Sequence, residues 1–243
     1  VTTTLTTDTG GDAQAIFAAG NGATTIVNGT IDGAGDVNVV SAGTGITTFN
    51  GNLGSSTALK NLHVGDADIA DINGNLTATT ITFDDATSEL EITGATAQTV
   101  TGLIDGDATG GIGILQISND ATIVSNIGAT HELADIIIAD AKSATFSGVI
   151  KTEDLLMGST GTGGSSVTLS VAGHVIGDDT ELNDVFQINY YDDNNVLFDN
   201  NMYTNNSKHI IEHILGDYNI LSFGENYNIC TFVVLFFAIP SFS

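Results

Sequence analysis

Apolar and β-branched residues come in short runs along most of the chain, at 24–31, 45–53, 79–83, 112–117, 134–139 and 166–171. They recur roughly every 10–12 residues, with Gly, Asn and Asp between them, which is the rhythm of short strands joined by turns. No stretch of helical period interrupts them, and the single proline is Pro240. The pattern predicts an all-β fold. Asn-Gly pairs begin at Asn21, Asn28, Asn50 and Asn73, and each is expected to supply a positive φ angle in a turn. Taken alone, this spacing suits an antiparallel sandwich or barrel.

An internal repeat points elsewhere. The segment NGTIDG (28–33) returns as TGLIDG (101–106). With one residue inserted, NGNLGSSTALKNLHVGDADIADINGNL (50–76) matches VSNIGATHELADIIIADAKSATFSGVI (124–150), so that Asn50 falls on Val124. Gly54 then meets Gly128, Leu59 meets Leu133, Asp66 meets Asp140, Ala67 meets Ala141 and Gly74 meets Gly148. Apolar positions stay apolar while exposed ones drift, so one backbone path is traced twice. A sandwich has no reason to do this; a solenoid does, because each rung needs a stacked neighbour to bury its apolar side. At roughly 20–25 residues per rung, the repeat corresponds to about three rungs of a right-handed parallel β-helix. Leu59 and Leu133 are expected to stack along one axis, with Ile, Leu and Val inside and ladders of Thr, Ser and Asn outside.

The same residues resemble a known family. VTGLIDG (100–106) followed by SNIGATHELADIIIADAKSATFSGVIK (125–151), with its earlier version at 51–83, resembles the passenger repeats of rickettsial surface cell antigen autotransporters, the outer membrane protein A and B group. Thr101, Gly102, Ile104 and Asp105 fit the first element of that repeat; Asn126, Ile127 and Gly128 fit the second, as do Asn52, Leu53 and Gly54. Leu133, Ala134, Ile136 and Ile138 fit the third. The resemblance covers about residues 20–178. It implies a β-solenoid passenger, exported through a C-terminal outer-membrane barrel and shown to host cells for adhesion or invasion. The membrane would be met only through that translocator barrel, and no run of alternating ten-residue strands for one is found in this chain.

Composition changes near Asp178. Residues 1–178 hold 27 of the 29 glycines and no tyrosine, whereas 179–243 hold all five tyrosines and seven of eleven phenylalanines. We therefore expect passenger repeats over 1–178, about two 74-residue modules, and an atypical Asn- and aromatic-rich tail over 179–243. The apolar run 229–239 (ICTFVVLFFAI) is too short to span a bilayer as a helix. An out-of-frame or degraded end is the preferred reading of the tail, ahead of a capping segment or a small appended domain. The chain opens at Val1 inside a Thr-rich run, which is expected to be a cut edge of something longer.

Charge narrows the function. Twenty-nine carboxylates face four lysines and no arginine, for a net charge of −25. Such a surface repels nucleic-acid phosphates and anionic lipid, so no nucleic-acid partner is expected. It also lacks the Arg fork that clamps phosphate or carboxylate substrates. Polysaccharide cleavage on a β-helix, which wants basic residues near uronate groups, is a remote alternative. Cys230 stands alone, so no disulfide forms within the chain.

Three motifs carry candidate chemistry. HIIEH (209–213) has the inverted zincin form: His209 and His213 fall on one helical face behind the cap Ser207, with Glu212 as base and Glu225 in reach as a third ligand. A chance match on a surface helix is the preferred reading, and no metal or catalytic residue is assigned. Acidic turns at 32–36 (DGAGD), 66–71 (DADIAD) and 105–107 (DGD) offer oxygen ligands for calcium. Gly10-Gly11-Asp12 is only a fragment of the calcium-roll repeat, so solvated turns are preferred. The run 158–164 (GSTGTGG) lacks the lysine of a phosphate loop and is read as an inter-rung loop. No cofactor is expected. The function these observations favour is non-catalytic surface display and adhesion, with a host-cell protein or glycan as partner; a self-associating surface-layer or filament protein is the alternative.

Overall fold

The computed structural model describes residues 13–41, 43–106, 110–157 and 165–169, together with the backbone of strands at Leu5–Thr6, Val175–Ile176, Glu181–Leu182, Val185–Tyr191 and Leu197–Tyr203. Every strand pairing within them is parallel except the last, between Val185–Tyr191 and Leu197–Tyr203. The expected solenoid is present: the strands stack into a coil of about six turns, and no helix occurs among the described residues. Partners in the parallel pairs are as near in the chain as Leu59 and Ala78 and as far apart as Leu5 and Ile31, which brackets the rung length expected.

Each turn visits three flanks. The first holds Gln14–Phe17, Asp36–Val39, Leu59–Val64 and residues 80–83 and 103–106. The second runs Thr24–Val27, Ile46–Phe49, Ile69–Ile72, Glu89–Ile92, Ile114–Ile117, Leu133–Ile138 and Lys151–Met157. The third begins as single bridges, Ile31 to Leu53 to Leu76, and broadens into residues 98–100, Ala121–Ile123, Ser143–Phe146 and Ser166–Leu169. Two long strands, Leu76–Phe83 and Gln98–Gly106, continue from the third flank around the corner onto the first. Where Gln98–Gly106 turns, its register slips between Thr101 and Leu103, and Gly102 takes a φ of 146°.

Alternation of period two drives one side of the strands between Asp36 and Leu169 inward. Ile31, Leu62, Ile81, Leu90, Ile104, Leu115, Ile127, Ile136 and Leu155 are fully buried, and they join one continuous core along the axis. Phe49, Phe83 and Phe146 are its largest members, and Phe17 meets Phe49 edge to face with ring centroids 5.2 Å apart. Among the buried polar residues, which include Gln98 and Thr152, Thr47 stands apart: its hydroxyl has no hydrogen-bond partner among the described residues.

The repeat is real but its phase differs from the expectation. The bridge ladder Ile31–Leu53–Leu76 on the third flank is reproduced as Ile104–Ile127–Ile150 on the first. Ala67 and Ala141, matched by the repeat, both adopt left-handed backbone, at φ 55° and 58°. Matched glycines Gly54 and Gly128 do the same, at 67° and 63°. Leu59 and Leu133 are both fully buried, yet Leu59 pairs with Ala78 on the first flank and Leu133 with Thr152 on the second. The homologous side chains therefore do not stack in one column. The reason is arithmetic: from Leu59 to Leu133 the chain advances ten strand positions, which is three turns and one further flank.

The Asn-Gly pairs also differ from expectation. Of their glycines only Gly22 has a positive φ, 68°. At the others the glycine permits close stacking: a Cβ on Gly74 would lie 2.6 Å from the Gly51 carbonyl oxygen, and one on Gly51 would strike that of Gly29. The asparagines stack as a ladder, Asn73 Nδ2 donating to Asn50 Oδ1 and Asn50 Nδ2 to Asn28 Oδ1, each at 2.7 Å. Antiparallel hairpins, the other source of this spacing, are absent from the described coil before Val185.

Candidate functional surface

The corner motif resolves into a clasp between successive rungs. Ile31 N–H donates to Asn52 O (3.1 Å), and Gly54 N–H donates back to Ile31 O (2.7 Å). One module later, Ile104 N–H donates to Asn126 O (3.1 Å) and Gly128 N–H to Ile104 O (2.8 Å). The carboxylate of the I-D-G triplet completes each clasp. Asp32 accepts from Ser56 N–H at 2.8 Å, and Asp105 accepts from His131 N–H at 2.7 Å and Thr130 N–H at 3.1 Å. Asn52 and Asn126 then cap the following rung, accepting from Asn75 N–H and Val149 N–H, both at 2.9 Å. So the most recognisable residues of the repeat satisfy backbone donors where the chain bends and the strand ladder is interrupted.

The acidic turns point in different directions. Asp32 serves the clasp, while Asp36 opens a strand of the first flank. Asp68 is fully buried and accepts from Ser41 N–H (2.7 Å), the Ser41 hydroxyl and Gly45 N–H (3.1 Å). Asp71 faces outward on the second flank, where it accepts from the hydroxyls of Thr48 (2.9 Å) and Thr93. Asp85 closes a turn: burial works to raise its pKa, but hydrogen bonds from Thr87, Ala67 and Ser88 outweigh this and hold it below the ordinary carboxylate value. No group of three or more His, Cys, Asp or Glu is placed to hold a metal ion among the described residues. Asp107, Gly10-Gly11-Asp12, the 158–164 run, the His209, Glu212, His213 and Glu225 set with Ser207, and the 229–239 run lie outside the described residues.

One polar cluster escaped the sequence reading. On the first flank His63 Nε2 lies 3.2 Å from an Asp84 carboxylate oxygen, and its Nδ1 lies 3.2 Å from Thr82 Oγ1. Asn61 Nδ2 also donates to that hydroxyl at 3.1 Å. Thr, His and Asp in line suggest a nucleophile and base. The hydroxyl, however, is shared with Asn61 on the outward side of a sheet. Only the register that pairs Asn61 with Thr80 brings His63 over Thr82, and no spacing rule reveals a register before the rung length is known.

The second flank differs from its neighbours in its outer face. Two outward columns run along it: Ile46, Ile69, Glu89, Ile114, Asp135, Asp154 and, beside them, Thr48, Asp71, Glu91, Gln116, Ile137, Leu156. Burial pushes the Glu89 carboxyl above its ordinary pKa, with the charge of Glu91 adding to the effect, and burial alone pushes Asp135 up.

The chain is similar to a rickettsial outer membrane protein. It is 29% identical over 131 residues to outer membrane protein A of Rickettsia rickettsii, a stretch that is 53% of this chain and 6% of that protein. The chain thus spans a small fraction of the length of the relative it matches. No family model matches it, and no solved structure does.

Proposed function

We propose that this chain is a segment of an exported bacterial surface protein, an autotransporter passenger whose coil displays extended flanks at the cell surface for adhesion. Residues 1–178 are its passenger repeats and 179–243 an atypical tail. The observation that carries the reading is the similarity to outer membrane protein A, in a chain whose described strands up to Tyr191 stack as a parallel coil. The corner motifs keep that coil closed, and its partners are met on the flanks: a host-cell surface protein or glycan, bound over many rungs without catalysis.

Two measurements test this. Protease added to intact cells making the full gene product should remove the segment while a cytosolic marker survives; protection of the segment overturns surface display. Beads coated with the chain should adhere to host-cell monolayers above albumin-coated beads, and equal adherence overturns the adhesive role. A self-associating layer protein is told apart by light scattering, where growth of the particle with concentration favours the layer.

A further inference from the structure

The outer face of the second flank has a chemistry that neither the core nor the clasps use. Glu89 stands between Ile69 and Ile114 in one column, and Asp135 follows Ile114 in the same column. Neither carboxylate accepts a hydrogen bond among the described residues. Glu91 takes the Ser118 hydroxyl at 2.8 Å, and Asp71 those of Thr48 and Thr93. No lysine lies in the two outward columns: Lys60 is on the first flank, Lys142 sits at a corner, Lys151 opens the second-flank strand Lys151–Met157 outside both columns with its ammonium donating to Ala129 O, and Lys208 is outside the described residues.

Glu89, set between Ile69 and Ile114, is partly desolvated, and those isoleucines remain partly exposed to water. A ligand with cationic heads on hydrocarbon stems relieves both, because lysine and arginine lay their methylenes on apolar surface while the head meets the charge. The spacing suits a polypeptide. Neighbouring rungs lie about 4.8 Å apart and outward residues on one strand about 7 Å apart, matching the side-chain spacing on one side of an extended chain. A second copy of this chain is the wrong occupant, since it brings a net charge of −25 to the same face.

We propose that the outer face of the second flank docks a basic, aliphatic-rich polypeptide segment, its cationic heads on Glu89, Glu91 and Asp135 and its apolar side chains on Ile69, Ile114 and Ile137. The inference rests on the display reading only for where the partner is met. Binding is measured in solution on the chain itself, so its failure and the failure of surface display are separate results.

The test is fluorescence anisotropy of the full chain with a labelled peptide of alternating lysine and leucine, in near-physiological salt. Two further peptides replace lysine with glutamate, or leucine with serine. The lysine–leucine peptide should bind, the glutamate–leucine peptide should not, and the lysine–serine peptide should bind about tenfold more weakly. Glu89→Gln with Asp135→Asn should weaken binding about tenfold, whereas the charge-matched pair Asp36→Asn with Asp84→Asn on the first flank should change it less than about twofold. Equal loss in both pairs, or equal binding of the lysine–serine peptide, would mean that a polyanion is gathering any cation, and the docking face is overturned. Absence of binding overturns it too. Should the double variant fail to fold by circular dichroism, the peptide series on the unaltered chain still decides.

Discussion

The second and third flanks share one interior and part company outside. Inward, both present fully or almost fully buried aliphatic and aromatic side chains to the same axis, Ile136 and Leu155 from one, Ile123 and Phe146 from the other. Outward, the third flank is neutral: Thr99, Thr122, Thr145 and Thr168 stack in register, and Ser166 donates to Ser143 at 2.9 Å. In its two outward columns the second mixes isoleucine with five carboxylates, Asp71, Glu89, Glu91, Asp135 and Asp154. Burial is what the coil demands of a flank; outer chemistry is left open, and it is there that the two have diverged.

Four experiments probe how far the two flanks depend on each other. Ile136→Ala and Phe146→Ala should each destabilise the coil by about 3–4 kcal/mol in urea unfolding, since each leaves a cavity in the shared core. A cost confined to one flank would mean that the two do not share a core. Thr47→Val, which removes a buried hydroxyl without a partner on the second flank, should stabilise by about 1 kcal/mol.

Acid should act through the second flank. Glu89 and Asp135 have folded-state pKa values raised above their ordinary values of 4.5 and 3.8, so the folded state holds more protons than the unfolded one over that interval. Stability therefore rises as pH falls from neutral toward those ordinary values, against a background of Asp71, Glu91 and Asp154 on the same face. Asp85 works the other way, its contribution being lost as pH falls through its lowered value, below 3.8. The melting temperature should thus climb between neutral pH and about pH 5, and Glu89→Gln with Asp135→Asn should flatten the climb. An unchanged slope in that double variant removes the assignment. The smallest effect belongs to the third flank: Thr122→Val, on its outward column, should shift stability by less than about 0.5 kcal/mol.

Much of this was legible in the sequence. The apolar runs marked the strands, and the return of Asn28–Gly33 as Thr101–Gly106 exposed the repeat and the solenoid. The phase was hidden, because rung length varies from rung to rung and the repeat divides into turns only once the pairs are known. Glycine was misread for a related reason. Asn-Gly is the same dipeptide whether it bends a hairpin or, as at Gly51 and Gly74, lets one backbone settle on another. His63 over Thr82 was equally invisible, since the contact belongs to neighbouring rungs and not to neighbouring residues. The flank chemistry was present in the sequence as Ile, Asp and Glu; which of them share a side depended on register.

A repeat that overshoots three turns by one side has a consequence for any longer rod made of such modules. Equivalent residues would ascend it like treads of a spiral stair, a third of a revolution and roughly 16 Å at each step. A reader approaching from one direction, an antibody or a receptor, would meet every third copy of a given patch face-on. Identical modules would in this way clothe all sides of the shaft, and none would be the front.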